Sequence, residues 1–193
     1  MENSKENKFE RILNSAIKVI GDKGFHNAKI KDIAIEADVA DGTIYNYFQN
    51  KEDILVTIFK IKLEEYVNNA KKEIVNIENP KDKLKVLIKY HIKIMTDNPD
   101  LAKVLQIELR QPHVELRVKV RKNLRNYFKV IEEVLEEGKE KGSFSPDLDV
   151  YLAREMFFGT LDEVISTWVF TGMSRDLELY IDKIYSMLIK AFN

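Results

Sequence analysis

Apolar residues recur at helical spacing along almost the whole chain, and no stretch reads convincingly as a strand. Phe9, Ile12, Leu13, Ala16, Ile17 and Ile20 predict a helix over residues 7–23, closed by Gly24. Ile30, Ile33, Ala34 and Ala37 form a narrower stripe on a short helix. Asp38 breaks that stripe, Val39 is the apolar peg of a turn, and residues 42–48 form a second short helix. Asn50 opens a long helix, since Asn50 and Asp53 stand at the spacing of a capping box; its stripe includes Ile54, Leu55, Ile58, Phe59 and Leu63. Asn79-Pro80 and Asn98-Pro99 start two more helices. Gln111-Pro112 interrupts the second of these, and a long seventh helix runs to Lys141. Residues 142–146 are the clearest loop, followed by helices over about 147–171 and 175–192. The expected fold class is all-α, with nine helices.

In the second short helix only Ile44 and Phe48, at i and i+4, need to face inward, which leaves Thr43, Tyr45, Asn46 and Tyr47 pointing outward. Outward tyrosines on a short helix suit a DNA groove walled by phosphates, and a helix-turn-helix sets its second helix in the major groove. The last two helices are apolar around well over half their circumference, with Met156, Phe157, Leu161 and Trp168 on one and Ile184 and Leu188 on the other. In a monomer they would leave a large apolar patch in water; a two-fold dimer packing four helices together covers it. The alternative is that these faces cap a thick monomer core. Dimerisation also suits DNA, because paired recognition helices must sit ~34–36 Å apart or a near multiple.

Composition is globular, with 45% hydrophobic and 33% charged residues. Cysteine is absent, so no disulfide framework or thiolate metal site exists, in keeping with a reducing cytoplasm as the expected location. The N-terminus lacks the apolar core of a signal peptide, and no apolar run approaches membrane-spanning length. The three histidines, His26, His91 and His113, show no metal spacing, and neither a Gly-rich phosphate loop nor a nucleophile elbow is present, which argues against an enzyme. A helical interaction module without DNA binding would leave the outward tyrosines unexplained. Net charge is −1, and residues 1–51 carry eight bases against eight acids, so any DNA binding should depend only shallowly on salt.

The stretch over residues 30–51 resembles the DNA-binding domain of the TetR family of bacterial repressors. Phe25, Ile30, Ile33, Ala34, Ala37, Val39, Gly42, Thr43, Tyr45, Tyr47, Phe48, Lys51 and Leu55 carry the likeness. It departs from the family at Ala28 and Ala40, where Ser or Thr often cap the helices, at Asp38 in place of Gly, and at Asp41 where many relatives carry a base. The resemblance implies a three-helix DNA-binding domain over residues 1–50 and a helical ligand-binding and dimerisation domain over residues 51–193. It implies a homodimer held by residues 147–192 on a palindromic double-stranded operator. Tyr47 and Lys51 would then clamp phosphates, while Thr43, Tyr45 and Asn46 reach phosphates or base edges. Lys29 and Lys31, with Asp41 and Gly42, complete the expected DNA face.

Within that family the runs 105–111, 116–117 and 158–163 with Thr167-Trp168 resemble the fatty-acid-degradation regulators of Gram-positive and thermophilic bacteria. That implies a repressor released from its operator by long-chain acyl-CoA, with no cofactor, metal or membrane involved. An acyl chain needs an apolar tunnel, and Phe59, Leu63, Tyr66, Tyr90, Leu105 and Leu109 are candidates from the middle helices. Met156, Phe157, Thr160, Leu161 and Trp168 are candidates from the helix over 147–171; the alternative is that most are ordinary core. For the phosphates, Arg110, Arg117, Lys119, Arg121, Lys122, Arg125 and Lys129 stand against the single acid Glu115. Arg110, Arg117 and Arg121 are the candidate anion ligands, and a solvated basic face is the alternative. The competing function is a repressor of the same type that senses another hydrophobic molecule, such as a drug.

Overall fold

Helix boundaries follow local cap chemistry. The computed structural model describes residues 2–193, with side chains from residue 8 onward. The first helix, α1 (Glu2–Lys23), stops where Gly24 takes φ 74° and its N–H closes on the Ile20 carbonyl at 2.8 Å. Two short helices follow, α2 (Ile30–Glu36) and α3 (Asp41–Ile44). Next comes α4 (Lys51–Ile74), capped as its sequence suggests: Asn50 Oδ1 accepts the Asp53 N–H at 2.9 Å. The return bond lands one residue early, with Asp53 Oδ2 accepting the Gln49 N–H at 2.9 Å. In α5 (Pro80–Asp97) Asn79 caps the Lys81 N–H, and Pro80 occupies a first-turn position where no N–H is needed. Then come α6 (Pro99–Glu108), α7 (Val114–Lys122) and α8 (Arg125–Glu140). Asp149 caps α9 (Val150–Phe170), and a 3-10 turn (Leu177–Tyr180) leads into α10 (Ile181–Phe192). No strand occurs among the described residues, and no helix there is long and apolar enough to cross a membrane.

The all-α expectation holds, but ten α-helices replace nine among the described residues. The single helix expected to run to Lys141 is divided at Asn123 and Leu124. Leu124 itself keeps helical angles (φ −71°, ψ −14°) across this lapse in the helix. The lapse falls within the run Arg117, Lys119, Arg121, Lys122, Arg125, where like charges three and four apart weaken a helix.

The chain divides into two compact units, Met1–Ile61 with Asp100–Lys122, and Lys62–Pro99 with Asn123–Asn193. This differs from a simple cut after residue 50: most of α6 and all of α7 join the N-terminal helices. Close approach explains it, because a Cβ added at Gly21 would stand 2.9 Å from the Asp100 carbonyl oxygen, so α1 meets α6 where α1 has no side chain. The first unit's core includes Ile12, Ala16, Ile33, Ile44, Ile54 and Ile58, all fully buried. The second unit's core includes Leu84, Ile88, Val134, Leu135, Phe157, Leu161, Ile165 and Phe192.

The loop over residues 142–146 is not merely surface chain. Phe144 is buried, its ring centroid 6.0 Å from that of Phe192, and Ser143 and Phe144 both donate to the Gly138 carbonyl. A Cβ on Gly138 would meet Phe144 ring atoms at 2.0 and 2.1 Å. Helix propensity alone makes Gly138→Ala stabilising by about 1 kcal/mol. Overpacking against a buried ring outweighs that, so the substitution is expected to destabilise by a net ~1–2 kcal/mol, read as a lower midpoint in urea. An unchanged or higher midpoint would show that Phe144 moves aside freely.

Candidate nucleic-acid interface

In the first unit the short helices and their turn are built locally. The Lys29 backbone N–H donates to Asp32 Oδ2 at 3.2 Å at the start of α2. The Asp32 carboxyl is held below its usual range, chiefly by a hydrogen bond from Lys23 and then by this N–H. Ala28, expected as the cap, lies one residue earlier and is buried, whereas Ala40 does precede α3. Asp38 adopts φ 50°, the left-handed conformation that Asp tolerates, and the Val39 N–H reaches back to the Ala34 carbonyl at 3.0 Å.

The second helix of the motif is shorter than expected. Regular α-helix covers only Asp41–Ile44, after which the N–H groups of Asn46 and Tyr47 bond three residues back, to Thr43 and Ile44. Ile44 and Phe48 nevertheless face inward, as their spacing implies. Tyr45 is 58% exposed, and Asp41, Gly42, Asn46, Lys29 and Lys31 are exposed with it. Thr43 and Tyr47 are half-buried. The Tyr47 ring leans on Phe9 at 6.0 Å, and Phe9 stacks on Phe48 at 5.5 Å. His26 is exposed beside Phe25.

Lys51 differs most from its expected role. Its ammonium donates to the carbonyls of Phe25 at 2.7 Å, His26 at 3.1 Å and Ala28 at 2.9 Å, and lies 4.6 Å from the Phe25 ring centroid. An ammonium has three donors, so none remains for a phosphate in this arrangement. Burial lowers its pKa, and the nearby charge of Glu108 partly opposes the shift. Glu108 is itself buried; it accepts the Phe25 N–H at 3.0 Å and the side-chain amide of Gln111. The corner between α1 and α2 is therefore held from both sides, its carbonyls by Lys51 and its N–H by α6.

The second unit contains a polar aromatic cluster. Tyr66, His91 and Tyr127 are buried, with ring centroids 5.0–5.7 Å apart. His91 Nδ1 lies 2.9 Å from the Tyr127 hydroxyl, and the Tyr66 hydroxyl donates to the Leu87 carbonyl at 3.4 Å. Tyr90, Phe128 and Phe158, all half-buried, pack around it. Burial pushes both tyrosine pKa values up and lowers that of His91 to about 4.

The expected effector residues divide between the units. Phe59, Leu105, Leu109, Arg110, Arg117 and Arg121 belong to the first; Leu63, Tyr66, Tyr90, Met156, Phe157, Thr160 and Trp168 belong to the second. Of these, Tyr66 and Tyr90 come together, with ring centroids 5.2 Å apart. Phe157 is fully buried, and the Trp168 indole N–H is occupied by the Arg175 carbonyl at 3.0 Å. Met156 is exposed, and Thr160 turns its hydroxyl onto the Met156 carbonyl. Arg110 and Arg117 spend guanidinium N–H groups on the carbonyls of Gln106, Gln111 and Pro112. Sequence reasoning missed His91, Tyr127 and Arg154; Arg154 is a buried guanidinium 4.3 Å from the ring centroids of both Phe128 and Tyr151 and paired with Glu132. The Tyr90-His91 and Tyr127-Phe128 doublets were the available signal, since each puts a polar ring beside a second aromatic on a helix.

The family model "Bacterial regulatory proteins, tetR family" matches residues 12–58, and "YsiA-like protein, C-terminal region" matches residues 59–191. The chain is 38% identical over 189 residues to the fatty acid metabolism regulator protein of Bacillus subtilis, covering 98% of this chain and 97% of that one. Among solved structures it is similar to the fatty acid degradation regulator FadR of Bacillus halodurans (TM-score 0.93, 39% identity, 96% of this chain and 100% of that one). It is also similar to FadR of Bacillus subtilis in complex with stearoyl-CoA (TM-score 0.92, 37% identity, with the same coverage).

Lys51→Met, which keeps the aliphatic stem, is expected to destabilise the protein by about 2 kcal/mol in urea melts, because three carbonyls lose a charged donor. The slope of log affinity for DNA against log salt should stay unchanged; a fall of about 0.9 would restore Lys51 to a phosphate. Acid should also weaken the fold through His91. The unfolded chain binds a proton near pH 6.5, while the buried ring resists one until about pH 4. Stability is thus fully present above pH 6.5 and is lost as pH falls toward 4, by on the order of 3 kcal/mol. Urea melts of the parent and His91→Phe across that range check this: the parent should lose more stability than the variant, and parallel curves would contradict it.

Proposed function

We propose that this chain, which belongs to the TetR family of bacterial regulatory proteins, is a DNA-binding repressor of fatty-acid degradation genes, released from its operator by long-chain acyl-CoA. The observation that carries the reading is near-full-length similarity to FadR of Bacillus subtilis, whose structure is a complex with stearoyl-CoA. The exposed Tyr45, Asn46, Asp41 and Gly42 supply a surface for the groove, with Lys29 and Lys31 beside it. The cations of α7 favour an anionic effector over a cationic drug.

DNA binding by this plan calls for two copies. Tyr151, Leu152, Met156 and Phe170 on α9, Leu179 in the 3-10 turn and Met187 on α10 are all exposed. Gly159 lies on the same helix, and a Cβ there would meet nothing within 4 Å, which leaves room for close approach of a second helix. The proposed homodimer packs these faces together.

Release follows from linkage. The effector binds a dimer spacing that does not fit successive major grooves better than one that does, and α4, which belongs to both units, conveys the change. A near-complete switch needs roughly 10⁴-fold preference between the two spacings.

Mobility shift on the DNA upstream of the protein's own coding sequence is the test. A shift that is abolished by acyl-CoA of long chain, and by neither free fatty acid nor cationic dyes, is expected. Release by dyes and not by acyl-CoA, or absence of any shift, would overturn the proposal.

A further inference from the structure

The two acids of α2 are each held within the first unit, Asp32 by Lys23 and the Lys29 N–H, and Glu36 by Lys18. Asp41 is different. It is the first residue of α3 and is exposed, and no hydrogen bond or ion pair engages its carboxylate among the described residues. The start of α3 does not need it as a cap, because the Thr43 N–H closes on the Ala40 carbonyl at 2.8 Å. Gly42 beside it has no side chain, and a Cβ there would meet nothing within 4 Å, so the approach to the carboxylate is open. Tyr45 follows four residues on with helical angles (φ −67°, ψ −12°) and is exposed, so Asp41 and Tyr45 stand one turn apart on the same outward face.

A carboxylate on a face that meets DNA is repelled by every phosphate, so its only attractive partners are N–H groups on base edges. In the major groove only cytosine N4 and adenine N6 present one; guanine N7 and O6 and thymine O4 carry lone pairs that repel it. Adenine places the acceptor N7 next to its N6, whereas cytosine has no acceptor on its own groove edge. We propose that Asp41 is a specificity-determining residue that reads one cytosine in each half-site, its carboxylate accepting the groove-facing N–H of cytosine N4. This rests on the DNA-binding reading and is independent of the effector. The charge weakens attachment to DNA at large and favours the sequences that offer it a donor.

Selection by the full chain from randomised duplexes, followed by affinity measurements on the selected site, tests this. The parent is expected to require one cytosine per half-site that Asp41→Ala no longer requires, with the other positions unchanged. On the selected site Asp41→Ala should bind about tenfold more weakly, yet bind unrelated duplex more tightly, since a like charge has left the phosphates. A residue that only supported the fold would not move the two affinities in opposite directions. Asp41→Asn keeps the shape and adds an NH2 that can donate to N7, so it should accept adenine at that position as readily as cytosine; thermal melts confirm that both variants fold. N4-methylcytosine at the same position keeps its Watson–Crick N–H and loses the groove-facing one. It should weaken the parent about tenfold and leave Asp41→Ala indifferent. Identical base preferences in the parent and both variants, equal losses on selected and unrelated duplex, or a parent indifferent to the N4-methyl group would overturn the assignment while leaving the protein a DNA-binding repressor. Failure of the parent to select any site would remove the DNA-binding reading and this one with it.

Discussion

Three main-chain carbonyls converge on one ammonium at the corner between α1 and α2, and the DNA-facing half of the molecule depends on that contact. The carbonyls of Phe25, His26 and Ala28 lie where α1 has ended and α2 has not yet begun, so no helix ladder satisfies them. Lys51 supplies the missing donors from the first turn of α4, and Glu108 takes the Phe25 N–H on the other side. The ion pairs that also link α1 to α2, Lys18 with Glu36 and Lys23 with Asp32, involve partly exposed side chains and contribute little by comparison. With the corner fixed, Ile33, Ala34 and Ala37 stay buried, and the turn through Asp38 presents Tyr45 outward.

The two units solve different problems with similar means. The first joins its helices around buried main-chain groups and needs a charge to satisfy them. The second buries side-chain polarity, with His91 hydrogen-bonded to Tyr127 and the Tyr66 hydroxyl to the Leu87 carbonyl. A polar network inside an apolar core is sensitive to whether every member is satisfied.

What could be read from the sequence was what local chemistry decides. Gly24 closing α1, Asn50 and Asp53 capping α4, Asn79-Pro80 opening α5 and Asp38 in the left-handed turn all involve residues within a few positions of one another. The inward placement of Ile44 and Phe48 followed from spacing alone. What could not be read involves partners far apart in the chain. Lys51 meets carbonyls 23–26 residues away, and His91 meets Tyr127 across 36. A lysine after a helix-turn-helix looks the same whether it faces solvent or a ring of carbonyls. Phe144 was hidden for a related reason: Gly, Ser and Pro around it signal a loop, and only Gly138 on a neighbouring turn of chain makes room for the ring. The split at Asn123 and Leu124 left no proline or glycine to announce it.

Hydrogen exchange at the Phe25 amide addresses the corner most directly. In the parent that N–H is expected to exchange slowly, like the buried helical amides, because Glu108 holds it and Lys51 holds the chain around it. In Lys51→Met it should exchange by local opening while amides of α5 and α8 keep their protection. Rapid exchange in the parent, or protection at Phe25 unchanged by the substitution, would mean that the corner is held by something other than this lysine.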